Sequence, residues 1–203
     1  LHLSIRRQRQ MCIRDRHMGF VLIAIYSGSQ IALQGAVVQM MAHGLSAAAL
    51  FILCGQLYER LHTRDMREMG GIWARMSWLP ALSLFFAAAA LGLPGTGNFV
   101  GEFLILIGSF PTAPWVTVIA ATGLVLGSVY SLIMIHRAHF GPVKNDSPLP
   151  GLQFRELSMV LCLAVLLILL GVYPQPVLDT SAASMQGVQQ WFSGALDQLA
   201  SGR

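Results

Sequence analysis

Long apolar runs separated by short polar segments are the dominant pattern along this chain. A membrane-spanning helix needs about 20 predominantly apolar residues. Five runs approach or exceed that length, covering residues 17 to 33, 35 to 58, 78 to 110, 114 to 135 and 157 to 173. Lipid offers no hydrogen-bond partner to an open sheet edge or a bare loop. The pattern therefore predicts an all-α fold, a polytopic transmembrane helix bundle of about five spans.

The third run is interrupted by the segment GLPGTGNFVGEF, residues 92 to 103. Pro94 removes a backbone donor and clashes with the preceding helical turn, and the glycines lower the cost of non-helical backbone angles. We therefore predict a discontinuous helix, broken around residues 92 to 98. Such a break is tolerated at membrane depth where it is packed in protein or lines a watery cavity, and broken helices are characteristic of ion-translocating proteins.

Charge and composition agree with a membrane protein, since 55% of the residues are hydrophobic and 11% are charged. Arginine and lysine are concentrated in two connections, residues 59 to 78 and 136 to 156, whereas the connections at 28 to 35 and 110 to 114 hold none. The positive-inside bias places the basic connections in the cytoplasm and the C-terminal tail on the other side of the membrane. We expect a multi-pass membrane protein.

Residues 1 to 16 differ from the rest of the chain. They hold five arginines and lack the apolar core and cleavage site of a signal peptide. They are either a native basic segment on the cytoplasmic face or a non-native stretch, and we favour the second interpretation. Outside them eight basic residues balance eight acids, so the positive charge does not indicate a nucleic-acid partner. We expect residues 17 to 176 to form the transmembrane part and residues 177 to 203 an amphipathic tail.

Ionisable residues inside the apolar runs are few, and each is a functional candidate because a charge at bilayer depth is costly. Glu102 is the only acid within the five runs and falls just after the predicted break. His43 lies near the middle of the second run, and His17 opens the first. A carboxyl group in an apolar setting and an imidazole can both exchange protons. The structural alternatives are a protonated carboxyl in a hydrogen bond and a buried neutral imidazole bonded to a carbonyl.

No metal or cofactor site is predicted. Cys12, Cys54 and Cys162 stand alone, without the ligand spacing of a zinc or iron–sulfur site. We interpret Cys54 and Cys162 as buried thiols. The PGTGN segment lacks the G-K-[ST] ending of a phosphate loop, and no strand precedes it.

Six stretches carry a family resemblance: HMGFVLI, QMMAHGLSAAALFILCGQLYER, HTRDMREMGGIW, WLPALSLFFAAAALGLPGTGNFVGEF, SVYSLIMIHRAHFG and LLGVYPQP. From residue 17 to about residue 192 the chain resembles the carboxy-terminal part of the subunit M family of bacterial NADH-quinone oxidoreductase, respiratory complex I. Its members are antiporter-like, proton-pumping membrane subunits built from two inverted repeats of five helices with flanking helices. The five runs resemble the last five helices, so we expect a C-terminal fragment that does not pump by itself.

The resemblance implies roles for the candidate residues. Glu102 matches a glutamate on the broken helix at the end of the proton path, and His43 matches a histidine of the central hydrophilic axis. His17 matches a histidine on the helix before that. A proton from an upstream lysine would pass by way of His43 and bound waters to Glu102, and a neighbouring cation would then favour its release. Together the three residues would form a proton relay.

The resemblance also implies a function, a redox-driven proton pump that couples electron transfer from NADH to quinone to proton translocation. NADH, FMN, the iron–sulfur clusters and quinone would belong to other subunits. The partners would be the lipid bilayer and other membrane subunits of complex I, in the bacterial inner membrane. Two alternatives stay open: a subunit of a multi-subunit cation/proton antiporter, and a non-transporting membrane scaffold.

Overall fold

The computed structural model describes residues 18 to 62, 72 to 76, 78 to 139 and 150 to 200, and within these ranges the regular structure is entirely helical. The predicted all-α class is therefore confirmed. The helices are α1 (Met18–Ser27), α2 (Gln30–Leu61), α3 (Ile72–Arg75), α4 (Leu79–Ala90), α5 (Gly97–Ser109), α6 (Pro114–His139), α7 (Phe154–Val172) and α8 (Gln175–Ala200).

The helices form a membrane bundle, as predicted. By length and composition α2 and α7 can each cross a bilayer, while α1, α4, α5 and the first part of α6 are shorter apolar helices. Large apolar side chains cover the outside of the bundle, including Tyr26, Trp115, Leu126 and Val172. An apolar surface of this kind is suited to contact with lipid.

The boundary between the first two helices lies earlier than the apolar pattern predicts. α1 ends at Ser27 and α2 begins at Gln30, so residues 30 to 33 belong to the second helix. The reason is Gly28, whose φ of +61° ends the first helix. Side chains on both sides of this turn share one buried cluster, as expected of a helical hairpin: Phe20, Val21, Ala24, Ala32 and Ala36.

The third span is broken in the structure. α4 ends at Ala90, α5 begins at Gly97, and residues 91 to 96 between them form turns. The predicted discontinuous helix is therefore confirmed, although residues 97 and 98 are already helical. Gly92 lies in the break with a φ of +85°, a left-handed conformation that a larger residue rarely adopts.

The contact between α2 and α5 is the most extensive helix contact among the described residues. A Cβ atom built on Gly101 would lie 2.8 Å from the Cα of Gln39, and one built on Gly35 would lie 2.9 Å from the backbone nitrogen of Ile105. Gly108 meets the backbone of Ala32 in the same way. The order of these pairs shows that the two helices run antiparallel. We call this line of contact the α2–α5 seam; it depends on small residues, which let helix backbones approach closely.

α7 is fixed to the bundle near both of its ends. At its start, Glu156 forms an ion pair with Arg60 of α2 at 2.7 Å. At its end, Gly171 contacts the backbone of Gly95 and Thr96. α7 therefore packs against the break from the side and covers part of it.

The C-terminal tail forms a helix, α8, that begins at Gln175, two residues before the expected boundary. Val177 and Leu178 pack against the main buried cluster. The ring of Phe192 lies against Gly28, 2.9 Å from the position of an added Cβ atom, while Trp191 is exposed. The tail thus packs against the turn between α1 and α2.

Replacing Gly108 with alanine should destabilise the protein by about 1–3 kcal/mol, the usual cost of overpacking a well-packed contact. The added methyl group has to displace α5 from the backbone of Ala32. The thermal unfolding midpoint in detergent should fall accordingly. Gly123→Ala on α6 is the control, because no atom lies within 4 Å of its Cβ position. Equal midpoints for the two variants would contradict close packing at the seam.

Candidate functional site

Glu102 lies one turn into α5 and is 3% exposed. Its carboxyl group is directed back toward the break, because a Cβ atom built on Gly92 would lie 2.8 Å from Oε2 of Glu102. Any residue larger than glycine at position 92 would therefore displace the carboxyl group. The break supplies both the space and the neighbouring backbone for this acid.

A cavity of about 280 Å³ opens beside Glu102, between the break, α5 and α6. Glu102 and Ser128 supply its polar side-chain groups, and the Ser128 hydroxyl also donates to the carbonyl of Leu124 at 2.9 Å. A cavity of this size has room for several water molecules, which require polar partners such as these. The other residues of the lining are Leu91, Gly92, Phe99, Phe103, Leu106, Leu124 and Val125.

A second polar group connects the break to α2. Asn98 is fully buried, and its side-chain nitrogen Nδ2 donates to the carbonyl oxygen of Ala89 at 3.0 Å and to the hydroxyl of Ser46 at 3.2 Å. The Ser46 hydroxyl in turn donates to the carbonyl oxygen of His43 at 3.2 Å. The turn of α2 that carries His43 is therefore hydrogen-bonded to the break.

Gln39 is a third buried polar residue, one turn before His43 on α2, and it is fully buried. Its Oε1 atom would lie 2.6 Å from a Cβ atom built on Gly101, the neighbour of Glu102. Gln39 therefore lies at the point where α2 comes closest to the acid-bearing turn of α5.

The predicted relay residues occupy different surroundings. Glu102 faces the break and α6, whereas His43, half-buried on α2, is not among the described residues that line the cavity at Glu102. His17 lies outside the described residues. The roles of Glu102, His43 and His17 in a relay stay predictions.

Asn98, Gln39 and Ser128 are polar groups of the site that the sequence analysis missed. Each lies within an apolar run, where an amide or hydroxyl is costly unless it is hydrogen-bonded. That signal was available from the sequence. The partners of Asn98 could not be predicted from the sequence, because Ala89 and Ser46 lie on other helices.

The interpretation of Cys54 and Cys162 as buried thiols was wrong, since both are exposed. They lie on the outward faces of α2 and α7, where an apolar thiol is as well suited to lipid as to the core. The described part of the chain has no group of three or more His, Cys, Asp or Glu side chains that could hold a metal ion.

A family model described as NADH:quinone oxidoreductase/Mrp antiporter, TM, matches residues 16 to 127, more than half of the chain. The match includes α1 to α5, the break, Glu102 and His43. The chain belongs to this NADH:quinone oxidoreductase/Mrp antiporter family.

Relatives in this oxidoreductase/antiporter family are close in sequence. The chain is 77% identical over 184 residues to NADH-quinone oxidoreductase subunit M of Pseudomonas aeruginosa, and the aligned part covers 91% of this chain and 36% of that protein. It is 69% identical over 179 residues to the subunit M of Escherichia coli, and the aligned part covers 87% of this chain and 35% of that protein. The resemblance to the subunit M family is confirmed, and the chain spans about a third of the length of these relatives.

Solved structures in the oxidoreductase/antiporter family share the fold. Respiratory complex I from Thermus thermophilus with bound NADH contains a chain with a TM-score of 0.76 and 28% identity, covering 85% of this chain and 37% of that one. The Mrp complex from a Dietzia species gives a TM-score of 0.72 at 15% identity, covering 85% of this chain and 41% of that one. The second likeness concerns the fold alone.

The cavity beside Glu102 should be accessible to water. In a variant with its native cysteines replaced by serine, Ser128→Cys should react with a charged, membrane-impermeant thiol reagent, because thiol reactions need a thiolate in contact with water. Ile119→Cys is the control, because Ile119 is 69% exposed on the side of α6 opposite Ser128, and it should stay unmodified. Labelling would be followed by mass spectrometry in native membranes. An unreactive thiol at position 128 would contradict a hydrated cavity.

Proposed function

We propose that the chain is the carboxy-terminal part of a proton-translocating membrane subunit of NADH-quinone oxidoreductase. The observation that carries this proposal is the buried carboxyl group of Glu102, held at a helix break and beside a cavity. Broken helices with an ionisable group at the break are characteristic of ion-translocating proteins. The identity to the subunit M proteins of P. aeruginosa and E. coli supports the same assignment.

The partners and cofactors follow from this proposal. The chain would be embedded in the bacterial inner membrane among the other membrane subunits of complex I. NADH, FMN, the iron–sulfur clusters and quinone would be held by other subunits, where electron transfer takes place. This chain would contribute a proton path and no redox group.

Glu102 would act as the terminal proton-exchanging group. A carboxyl group can accept and release one proton without leaving its position, and water in the adjacent cavity would carry that proton past Ser128. Release requires that the carboxylate be stabilised when it forms, by water in the cavity or by a neighbouring cation. Gly92 matters here because it leaves room for the carboxyl group beside the break.

The proton would reach Glu102 along α2. His43 and Gln39 are one turn apart on α2, and Gln39 adjoins Gly101 next to the acid. An amide does not itself pass protons, so Gln39 would act by holding water between the imidazole and the carboxyl group. His17 would stand further upstream in the same path.

Sodium–proton exchange is the main alternative. The fold likeness to the Mrp complex from Dietzia makes it worth testing, although at 15% identity it says nothing about the ion transported. Transport by the complete subunit in its complex should be independent of sodium concentration if protons alone are moved. A pumping rate that follows sodium at constant pH would favour the antiporter alternative.

Glu102→Gln in the full-length subunit should lower the number of protons pumped per NADH oxidised, because glutamine keeps the shape of the side chain but cannot exchange a proton. Assembly of the complex should be nearly unaffected. The measurement is proton uptake by inverted membrane vesicles, with NADH oxidation recorded in parallel.

The matched control for this substitution is Glu156→Gln. It makes the same chemical change in an acid that pairs with Arg60, away from the cavity, and should leave the proton ratio unchanged. A normal proton ratio in Glu102→Gln would overturn the proposed role of this acid. It would favour a scaffold in which Glu102 is structural.

A further inference from the structure

Asn98 is the fully buried polar residue at the start of α5, and the proposed proton path makes no use of it so far. An amide group in a membrane span costs free energy unless its polar atoms are bonded. Leucine would fill a similar volume at no such cost. The residue therefore needs an explanation beyond packing.

The two bonds donated by Asn98 fix the orientation of its amide group. The Nδ2 atom lies 3.0 Å from the carbonyl oxygen of Ala89 and 3.2 Å from the hydroxyl of Ser46. A carbonyl oxygen can only accept, so the atom facing Ala89 must be the nitrogen. One side chain therefore joins the end of α4, the start of α5 and the middle of α2.

Asn98 and Glu102 both lie against the turn at which the break begins, residues 89 to 92. They are four residues apart on α5 and so lie on one face of that helix. Asn98 bonds the carbonyl of Ala89, which also accepts the backbone N–H of Gly92 at 3.1 Å, and the carboxyl group of Glu102 lies beside Gly92. A shift of this turn would change the surroundings of both side chains together.

The other end of the amide is an acceptor, Oδ1 of Asn98. It is fully buried and receives no hydrogen bond from any residue that the structure describes. Buried amide oxygens nearly always have a donor, and a bound water molecule is the usual one where protein supplies none. Since the amide orientation is fixed, rotation of the group cannot remove this need.

We propose that Asn98 is a positioning residue of the proton path, which holds a water molecule at Oδ1 between the His43 turn of α2 and the helix break. This inference rests on the proposed proton-translocating function. The bond from Asn98 to Ser46 joins α5 to the turn of α2 in which Ser46 donates to the carbonyl of His43. The bound water then lies on the side of α5 that also carries Glu102.

A purely structural cross-link predicts a different outcome. If Asn98 only tied three helices together, its loss would reduce stability and assembly while the protons pumped per NADH oxidised stayed constant in the complexes that form. If Asn98 positions water for proton transfer, that ratio falls even in fully assembled complexes. The ratio therefore separates the two roles.

The test uses the full-length subunit in the assembled oxidoreductase, with Asn98→Leu and Ser46→Ala introduced singly and together. Asn98→Leu should lower the protons pumped per NADH oxidised by an amount comparable with Glu102→Gln measured in parallel. Ser46→Ala should lower this ratio by less, because it removes only one of the two bonds that position the amide group. The double variant should be no worse than Asn98→Leu, because both changes break one chain of hydrogen bonds. Ser109→Ala is the matched control, a fully buried hydroxyl on the same helix and outside this chain.

The outcomes distinguish this inference from the function it rests on. Normal pumping by Glu102→Gln overturns the proposed function, whereas impaired Glu102→Gln with normal Asn98→Leu overturns this inference alone. If Asn98→Leu does not assemble, Ser46→Ala decides, and a normal ratio there overturns the inference. A density map that resolves ordered water should also contain a water at about 2.8 Å from Oδ1; a dry Oδ1, or a protein donor in its place, overturns it.

Discussion

The direct backbone approach of α2 and α5 is the constraint on which the site depends. Gly101 and Gly108 have no side chain to hold the helices apart, so α5 lies against the backbone of Gln39 and Ala32. With larger residues the axes would separate by an ångström or more, and the 3.2 Å bond from Asn98 to Ser46 would be lost. The seam thus holds the polar groups of α2 within reach of the break.

The break changes the backbone hydrogen bonds at the end of α4 and leaves a carbonyl group able to bond a side chain of α5. In a continuous helix the carbonyl of Ala89 would accept the N–H of Leu93, but here Leu93 donates to Ala88 and Gly92 donates to Ala89. Ala89 is left with a lone pair directed at α5, and the amide of Asn98 bonds to it. Because α7 covers the break from the side, these polar groups are packed in protein instead of exposed to lipid, as membrane-depth irregular backbone requires.

The sequence was sufficient for the features that have local causes. Long apolar runs predicted the helices, and Pro94 with its neighbouring glycines predicted the break, because both act on the backbone within one turn. The turn at Gly28 was misplaced because the chain becomes apolar again directly after it, at residues 31 to 33, so the apolar pattern does not mark the end of α1. Exposure of Cys54 was missed because lipid and protein core are both apolar, so the sequence pattern does not separate the two faces of a membrane helix. The bond between Asn98 and Ser46 was beyond reach, since it depends on how two distant helices pack.

If Glu102 and His43 belong to one proton path, their positions make the histidine alone a poor immediate donor to the acid. Glu102 turns toward α6 and the cavity, while His43 belongs to the face of α2 that carries Ser46. The groups between them are amides, and amides bind water but do not carry protons. Proton transfer along this line would therefore depend on how many waters the amides hold in sequence. The close approach of α2 and α5 at the seam limits the space for those waters.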